Sequence, residues 1–140
     1  MRKIDAIVVH CTATPDAAWQ IGVKQIRADH VSARGWNDIG YHYLVRRDGE
    51  IEVGRMESVV GAHCQNGYNQ RSIGVVWVGI EKPTAQQRSS LVKLVAELSR
   101  RYGLGVHQVF GHREADPGAN KACPVIDMIE FRTEVSKCMH

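Results

Sequence analysis

The chain lacks the features that would assign it a class at once. No apolar run approaches the ~20 residues that cross a bilayer; the longest, Ala6-Ile7-Val8-Val9 and Gly74 to Ile80, stop far short, which excludes membrane insertion. The N-terminus carries Arg2 and Lys3 but reaches the polar pair His10-Cys11 without the apolar stretch and small-residue cleavage site of a signal peptide, so synthesis in the cytoplasm is expected. Basic residues number 18 against 15 acidic, a net +3 with no Lys/Arg run. The dense positive patch of a nucleic-acid binder is missing, and no nucleic-acid partner is expected. The four cysteines, Cys11, Cys64, Cys123 and Cys138, form no CxxC pair, which argues against a disulfide scaffold. Internal repeats, low-complexity tracts and Pro/Gly/Ser linkers are also missing, so the 140 residues read as one domain. At 44% hydrophobic and 24% charged, the balance is that of a globular chain able to bury a core without staples.

The pattern that is present alternates strand and helix. Asp5 to His10 is a β-branched run that predicts a strand. Val23, Ile26, His30 and Val31 recur at helical spacing, with Gly35 as the stop. Tyr41 to Arg47 predicts a second strand, joined by a two-residue Asp48-Gly49 turn to Ile51–Val53. Residues 54 to 71 form an unusually polar connection. Ser72 to Gly79 reads as a strand buried on both faces. Thr84 with Gln87 predicts a capping box opening a helix whose stripe is Leu91, Leu94, Val95 and Leu98 and whose stop is Gly103. A short strand over Val106 to Phe110, an irregular segment from Gly111 to Pro124 and a helix over Ile126 to Ser136 complete the chain. The expected fold class is α/β: a single domain, residues 1–140, with a central mixed β-sheet flanked by helices.

Candidate chemistry collects where strands end, the usual place for a site in α/β folds. His10 ends the first strand, Tyr41 opens the second, and His112 follows the last. His112 and Cys123 share the Gly111–Pro124 segment, whose glycines and prolines let the backbone fold back. Two imidazoles and a thiolate make a three-ligand zinc set with a fourth position left for water or substrate. There is no HExxH, and spacing alone leaves the plainer set open: His10 as a capped strand end, Cys123 as a buried thiol, His112 as a loop histidine. Tyr41 and Tyr43 alternate onto one face of their strand and His42 onto the other, so His42 reads as a hydrogen-bonded structural residue. His30 reads as a packing residue. Cys11 is turned away from His10 and expected buried; Cys64 is a free thiol or a partner for Cys11; Cys138 is free and exposed.

Six ordered blocks carry a resemblance. They are Val8 to Thr14 (VVHCTAT), Gly35 to Tyr43 (GWNDIGYHY), Arg47-Asp48-Gly49, Gly67 to Val75 (GYNQRSIGV), Gly111-His112-Arg113 and Lys121-Ala122-Cys123-Pro124. Together the chain resembles the N-acetylmuramoyl-L-alanine amidases, most of all the bacteriophage zinc amidases related to peptidoglycan recognition proteins. The resemblance implies one Zn2+ bound by His10, His112 and Cys123, with Tyr41 and Lys121 assisting the chemistry. It implies hydrolysis of the amide between the lactyl group of N-acetylmuramic acid and L-alanine, in bacterial peptidoglycan or its muropeptides, and no organic cofactor. The polar connection supplies the expected substrate-binding rim, His63, Asn66, Asn69 and Arg71, against the reading of a solvated loop; Arg71 or Arg113 could pair with a substrate carboxylate. A monomer is expected, acting at the wall or periplasm once released by another system. Two alternatives stand beside wall lysis: a cytoplasmic amidase that recycles soluble muropeptides, and a non-catalytic binding module of the same fold. Recycling amidases of this kind typically carry Asp at the place of Cys123 and Glu near that of Tyr41, so Cys and Tyr favour the phage-like branch.

Overall fold

The computed structural model describes residues 2–119 and 122–140. Among them five strands pair into one sheet: β1 (Ala6–Cys11), β2 (Tyr43–Val45), β3 (Ile51–Val53), β4 (Ser72–Trp77) and β5 (Val109–Gly111). Their order across the sheet is β3-β2-β4-β1-β5. β1 is parallel to both β4 and β5, β2 is parallel to β4, and β3 is antiparallel to β2, so the sheet is mixed. Because β1, β2, β4 and β5 run the same way, their C-terminal ends share one edge, where loops can converge over a rigid base.

β1 and β4 are rich in Val and Ile and buried at every position, as expected for central strands covered on both sides. On one side, Leu91, Val95 and Leu98 of α3 (Ala85–Tyr102) and Phe131 and Val135 of α5 (Met128–Met139) pack against Ile7, Val9, Val75 and Trp77. On the other, Val23 and Ile26 of α1 (Val23–Ala28) pack with Ile39, Leu44, Val76 and Val78. Alternation along β1 puts Val8 and His10 on this second side.

Local chemistry explains most element boundaries. The Thr84 hydroxyl accepts from the Gln87 N–H at 3.0 Å while the Gln87 carboxamide oxygen accepts from the Thr84 N–H at 2.9 Å, so the capping box opens α3 as expected. Gly103, left-handed at φ 67°, ends it. Gln87 itself is fully buried. Its amide donates to the Val45 and Val78 carbonyls at 3.1 and 2.9 Å, and its oxygen accepts from Arg47 at 2.9 Å, tying α3 to the ends of β2 and β4. α5 begins later than its apolar pattern suggested, because Asp127 accepts from the N–H groups of Ile129 and Glu130 and starts the helix there.

Four expectations need correction. The turn between β2 and β3 is a three-residue loop, not a two-residue one: the Gly49 N–H donates to the Arg46 carbonyl, Arg46 pairs with Glu50, and Gly49 is left-handed at φ 89°. The helix from Val23 is regular only to Ala28 and continues as a π-helical turn, Asp29–Ala33, which leaves Val31 exposed. The strand over Val106 to Phe110 is a 3-10 turn, Val106–Gln108, followed by β5, and the 111–124 segment contains a short helix, α4 (His112–Ala115), besides α2 (Tyr68–Arg71) upstream of β4. Tyr41 and Tyr43 do not share a face. The regular ladder starts at Tyr43, so alternation does not extend back to residue 41. Tyr41 packs on the α1 side and Tyr43 on the α3 side.

Candidate functional site

β1, in the middle of the parallel strands, places His10 at its C-terminal end with 1% of its surface exposed. β5 runs beside β1, with Gly111 paired to Val9, so His112 emerges next to His10; the two ring centroids lie 4.5 Å apart. Cys123 comes from the chain that returns after α4 and is held by backbone contacts. The Arg113 N–H donates to its carbonyl at 3.1 Å, and the Trp77 indole donates to the next carbonyl, Pro124, at 2.9 Å. One ligand atom from each of His10, His112 and Cys123 lies within 4.8 Å of the others.

The donor set fits a single borderline-soft divalent ion. Burial, followed by the neighbouring His63 and His112, holds the His10 pKa well below its ordinary value, so the ring is a neutral ligand. The Cys123 sulfur accepts from the Cys11 backbone N–H at 2.9 Å, a bond that favours thiolate character. Contact with the Cys11 thiol and burial push the Cys123 pKa up, so a metal is what would take the proton's place. His112 is half-buried and opens onto a cleft of about 910 Å3, which provides the accessible side an open coordination position needs. Tyr41 lines the same cleft, its ring 5.2 Å from that of His10. Burial, then the nearby thiols, raises the Tyr41 pKa above its ordinary value, so the phenol remains an O–H donor.

This geometry coincides with four likenesses. The profile of a family described as N-acetylmuramoyl-L-alanine amidase matches residues 1–125. The chain belongs to that family. It is 42% identical over 132 residues to an endolysin of Escherichia phage T7, covering 89% of this chain and 82% of the relative. Its fold matches N-acetylmuramoyl-L-alanine amidase LysC from Clostridium intestinale with a TM-score of 0.83 at 28% identity, covering 96% of this chain and 87% of that one. Peptidoglycan recognition protein-LE, solved in complex with tracheal cytotoxin, a monomeric diaminopimelic acid-type peptidoglycan, matches with a TM-score of 0.77 at 27% identity over 95% and 81% of the two chains. The chain is an amidase of this class that cleaves peptidoglycan. Among its described residues no helix is long and apolar enough to cross a membrane.

The other residues singled out in the sequence fall into distinct places in the amidase. Lys121 lies outside the described residues. His63 lines the cleft but is 8% exposed, and its ring bonds to His10 rather than standing on a rim. Asn69 lines the cleft, and its side-chain oxygen accepts from the His63 and Cys64 N–H groups at 2.8 and 2.9 Å, which shapes the loop beneath it. Asn66 is exposed, left-handed at φ 60°, and donates to the Ala115 carbonyl at 3.3 Å. Arg71 is not brought to the cleft. It pairs with Asp5 at 2.6 Å and stacks on Tyr68, at the start of β1, five residues before His10. At ~3.3 Å per strand residue that is roughly 17 Å away.

His42 is a buried hydrogen-bonded residue, as expected, its Nδ1 accepting from the Gly74 N–H; His30 is buried, as a packing residue would be, but its Nδ1 also accepts from the Gly40 N–H and it lines the cleft. Among the described residues Cys11, Cys64 and Cys123 are buried free thiols and Cys138 an exposed one. Sequence reasoning missed Thr12, Gln25, Asp29, Arg34 and Trp36, which line the same cleft as His112 and Tyr41. The available signal was Trp36 within the GWNDIGYHY block, beside Arg34 at the end of the π-helical turn.

Proposed function

We propose that this amidase is zinc-dependent and hydrolyses the amide joining the lactyl group of N-acetylmuramic acid to L-alanine, with one ion held by His10, His112 and Cys123. The observation that carries the reading is the convergence of two imidazole nitrogens and one sulfur, from the end of β1 and the 111–124 segment, with His112 opening the cluster onto a cleft. When bound, zinc supplies a Lewis acid that lowers the pKa of water to ~7 and polarises a carbonyl oxygen. The chain's own groups do the rest. Two neutral imidazoles and one thiolate leave part of the ion's charge uncompensated. Tyr41, kept protonated by burial, donates its O–H to the carbonyl oxygen as that oxygen becomes anionic. Lys121 has the matching cationic role that the resemblance implies.

The cleft lining, which includes Gln25, Arg34, Trp36, Asn69 and Asp116, would orient the glycan and stem peptide so that the scissile amide lies over the ligand cluster. The likeness to endolysins supports action on the polymeric wall by a protein made inside the producing cell and released by a separate agent.

The test combines metal analysis with product chemistry. Purified protein should hold about one zinc per chain, as a single three-ligand site requires. On isolated sacculi it should liberate L-alanine amino termini without new reducing sugars. New reducing sugars would mean glycosidic cleavage, and release of neither product would favour a binding module. The same assay on small soluble muropeptides separates wall lysis from recycling by whichever substrate is turned over faster.

A further inference from the structure

We infer that His63 is a positioning residue of this centre: it fixes the tautomer and orientation of His10, so that Nδ1 of His10 is the nitrogen presented to the metal. The inference rests on the zinc reading above and adds a residue that acts on the metal through His10.

The argument starts from a backbone carbonyl. The carbonyl of Tyr68 can only accept, and it receives the Ser72 hydroxyl proton at 2.5 Å. With its proton committed, Ser72 Oγ can only accept from its other neighbour, Nε2 of His63, at 3.2 Å. That nitrogen of His63 therefore carries the hydrogen. Two imidazoles in contact in a buried site hold one proton each, because a buried cation pair would be far costlier. Nδ1 of His63 is then a bare lone pair, and the contact it makes with Nε2 of His10 at 2.8 Å requires His10 to donate. His10 is left with its lone pair on Nδ1. A carbonyl at the start of α2 thus decides, through two side chains, which nitrogen of a metal ligand is available.

The surroundings are built for this ring. A Cβ on Gly74 would stand 2.6 Å from Cγ and Cδ2 of His63, and a Cβ on Gly61 2.6 Å from Cδ2, so two bare backbone positions make the slot it occupies. Asn69 clamps the backbone N–H of His63 at 2.8 Å. Ser72 is fully buried, and the His10 and His63 rings meet edge to face with centroids 5.0 Å apart.

Imidazole nitrogen NMR of the zinc-loaded protein reads the arrangement directly. The expected spectrum has His10 ligated through Nδ1 with a proton on Nε2, and chelation of the metal should leave that proton where it is. Ligation through Nε2, or an Nδ1-protonated His10 after chelation, would overturn the inference.

Zinc affinity, measured by competition with a chromophoric chelator, gives a second arm. His63→Leu removes the acceptor and should weaken zinc binding by about 10–100-fold, the usual effect of losing a ligand's outer partner. His63→Asn places an amide oxygen where Nδ1 now sits and should recover most of the loss. A merely space-filling role would leave the two variants equal. If His63→Leu does not fold, the comparison of His63→Asn with Ser72→Ala replaces it, since Ser72→Ala frees the tautomer and His63→Asn does not. Parent protein that binds zinc and cleaves sacculi while His63→Leu binds zinc as tightly would sink this inference alone. Parent protein that neither binds zinc nor cleaves would sink the functional reading instead.

Discussion

Acidification from pH 7 to pH 5 should remove at least about 2 kcal/mol from the folding stability of the metal-free protein. The reason is a set of histidines buried as neutral rings. His42 is fully buried, with Nδ1 accepting from the Gly74 N–H at 3.0 Å and Nε2–H donating to the Val59 carbonyl at 2.8 Å. A second proton would have to enter at Nδ1, against a donor, and its charge would be desolvated. Burial accordingly lowers the His42 pKa to about 4. In the unfolded chain the ring titrates near 6.5.

The unfolded state therefore takes up a proton below pH 6.5 that the folded state refuses, and stability falls with pH from about 6.5 down toward 4. At pH 5 the unfolded ring is about 1.5 units below its pKa, which at about 1.4 kcal/mol per unit amounts to ~2 kcal/mol. His10 and His63, whose pKa values burial also lowers, act in the same direction. Carboxylates do not confuse the test. The Arg27 hydrogen bond holds the Asp38 carboxyl below its ordinary value, so its contribution is lost only below about pH 4. Urea titrations with chelator present, run at both pH values, measure the difference. Equal unfolding free energies at pH 7 and pH 5 would refute the neutral burial of these rings.

Three substitutions test the rest. Cys123→Ala should abolish turnover together with metal binding, read as zinc content by elemental analysis. Tyr41→Phe and Lys121→Ala should each keep zinc while lowering kcat by about 10²–10³, the effect of deleting one oxyanion donor; full activity in either variant would remove that residue from the mechanism. Gln87→Leu removes one buried hydrogen bond each from the Val45 carbonyl, the Val78 carbonyl and the Arg47 guanidinium and should cost about 3 kcal/mol by denaturant unfolding, with zinc content unchanged.

Local regularities were legible in the residues. The capping box at Thr84 and Gln87, the stop at Gly103 and the apolar runs of β1 and β4 depend on neighbours within a few positions and on burial that hydrophobicity alone predicts. The alternating strand–helix pattern was enough for the α/β class. Errors came where a contact distant in sequence overrides a local preference. Gly49 takes up a left-handed turn that lengthens the hairpin loop, and residue 41 lies just outside the ladder that would have kept it beside Tyr43.

The residue types needed for a metal site were also in view, but His10 shares no local spacing with His112 and Cys123, so spacing alone did not establish that the three meet. The family blocks named them. Parallel pairing of β1 with β5, and the Cys11 N–H reaching back to Cys123, bring them together. The role of His63 is the clearest case of what only the tertiary structure decides. In the sequence it is one polar residue in a polar loop. In the fold, two glycines make room for its ring and a carbonyl beyond Ser72 orders its protons. Hydrogen-bond direction is a property of a closed network in space, and no linear pattern of residues encodes it.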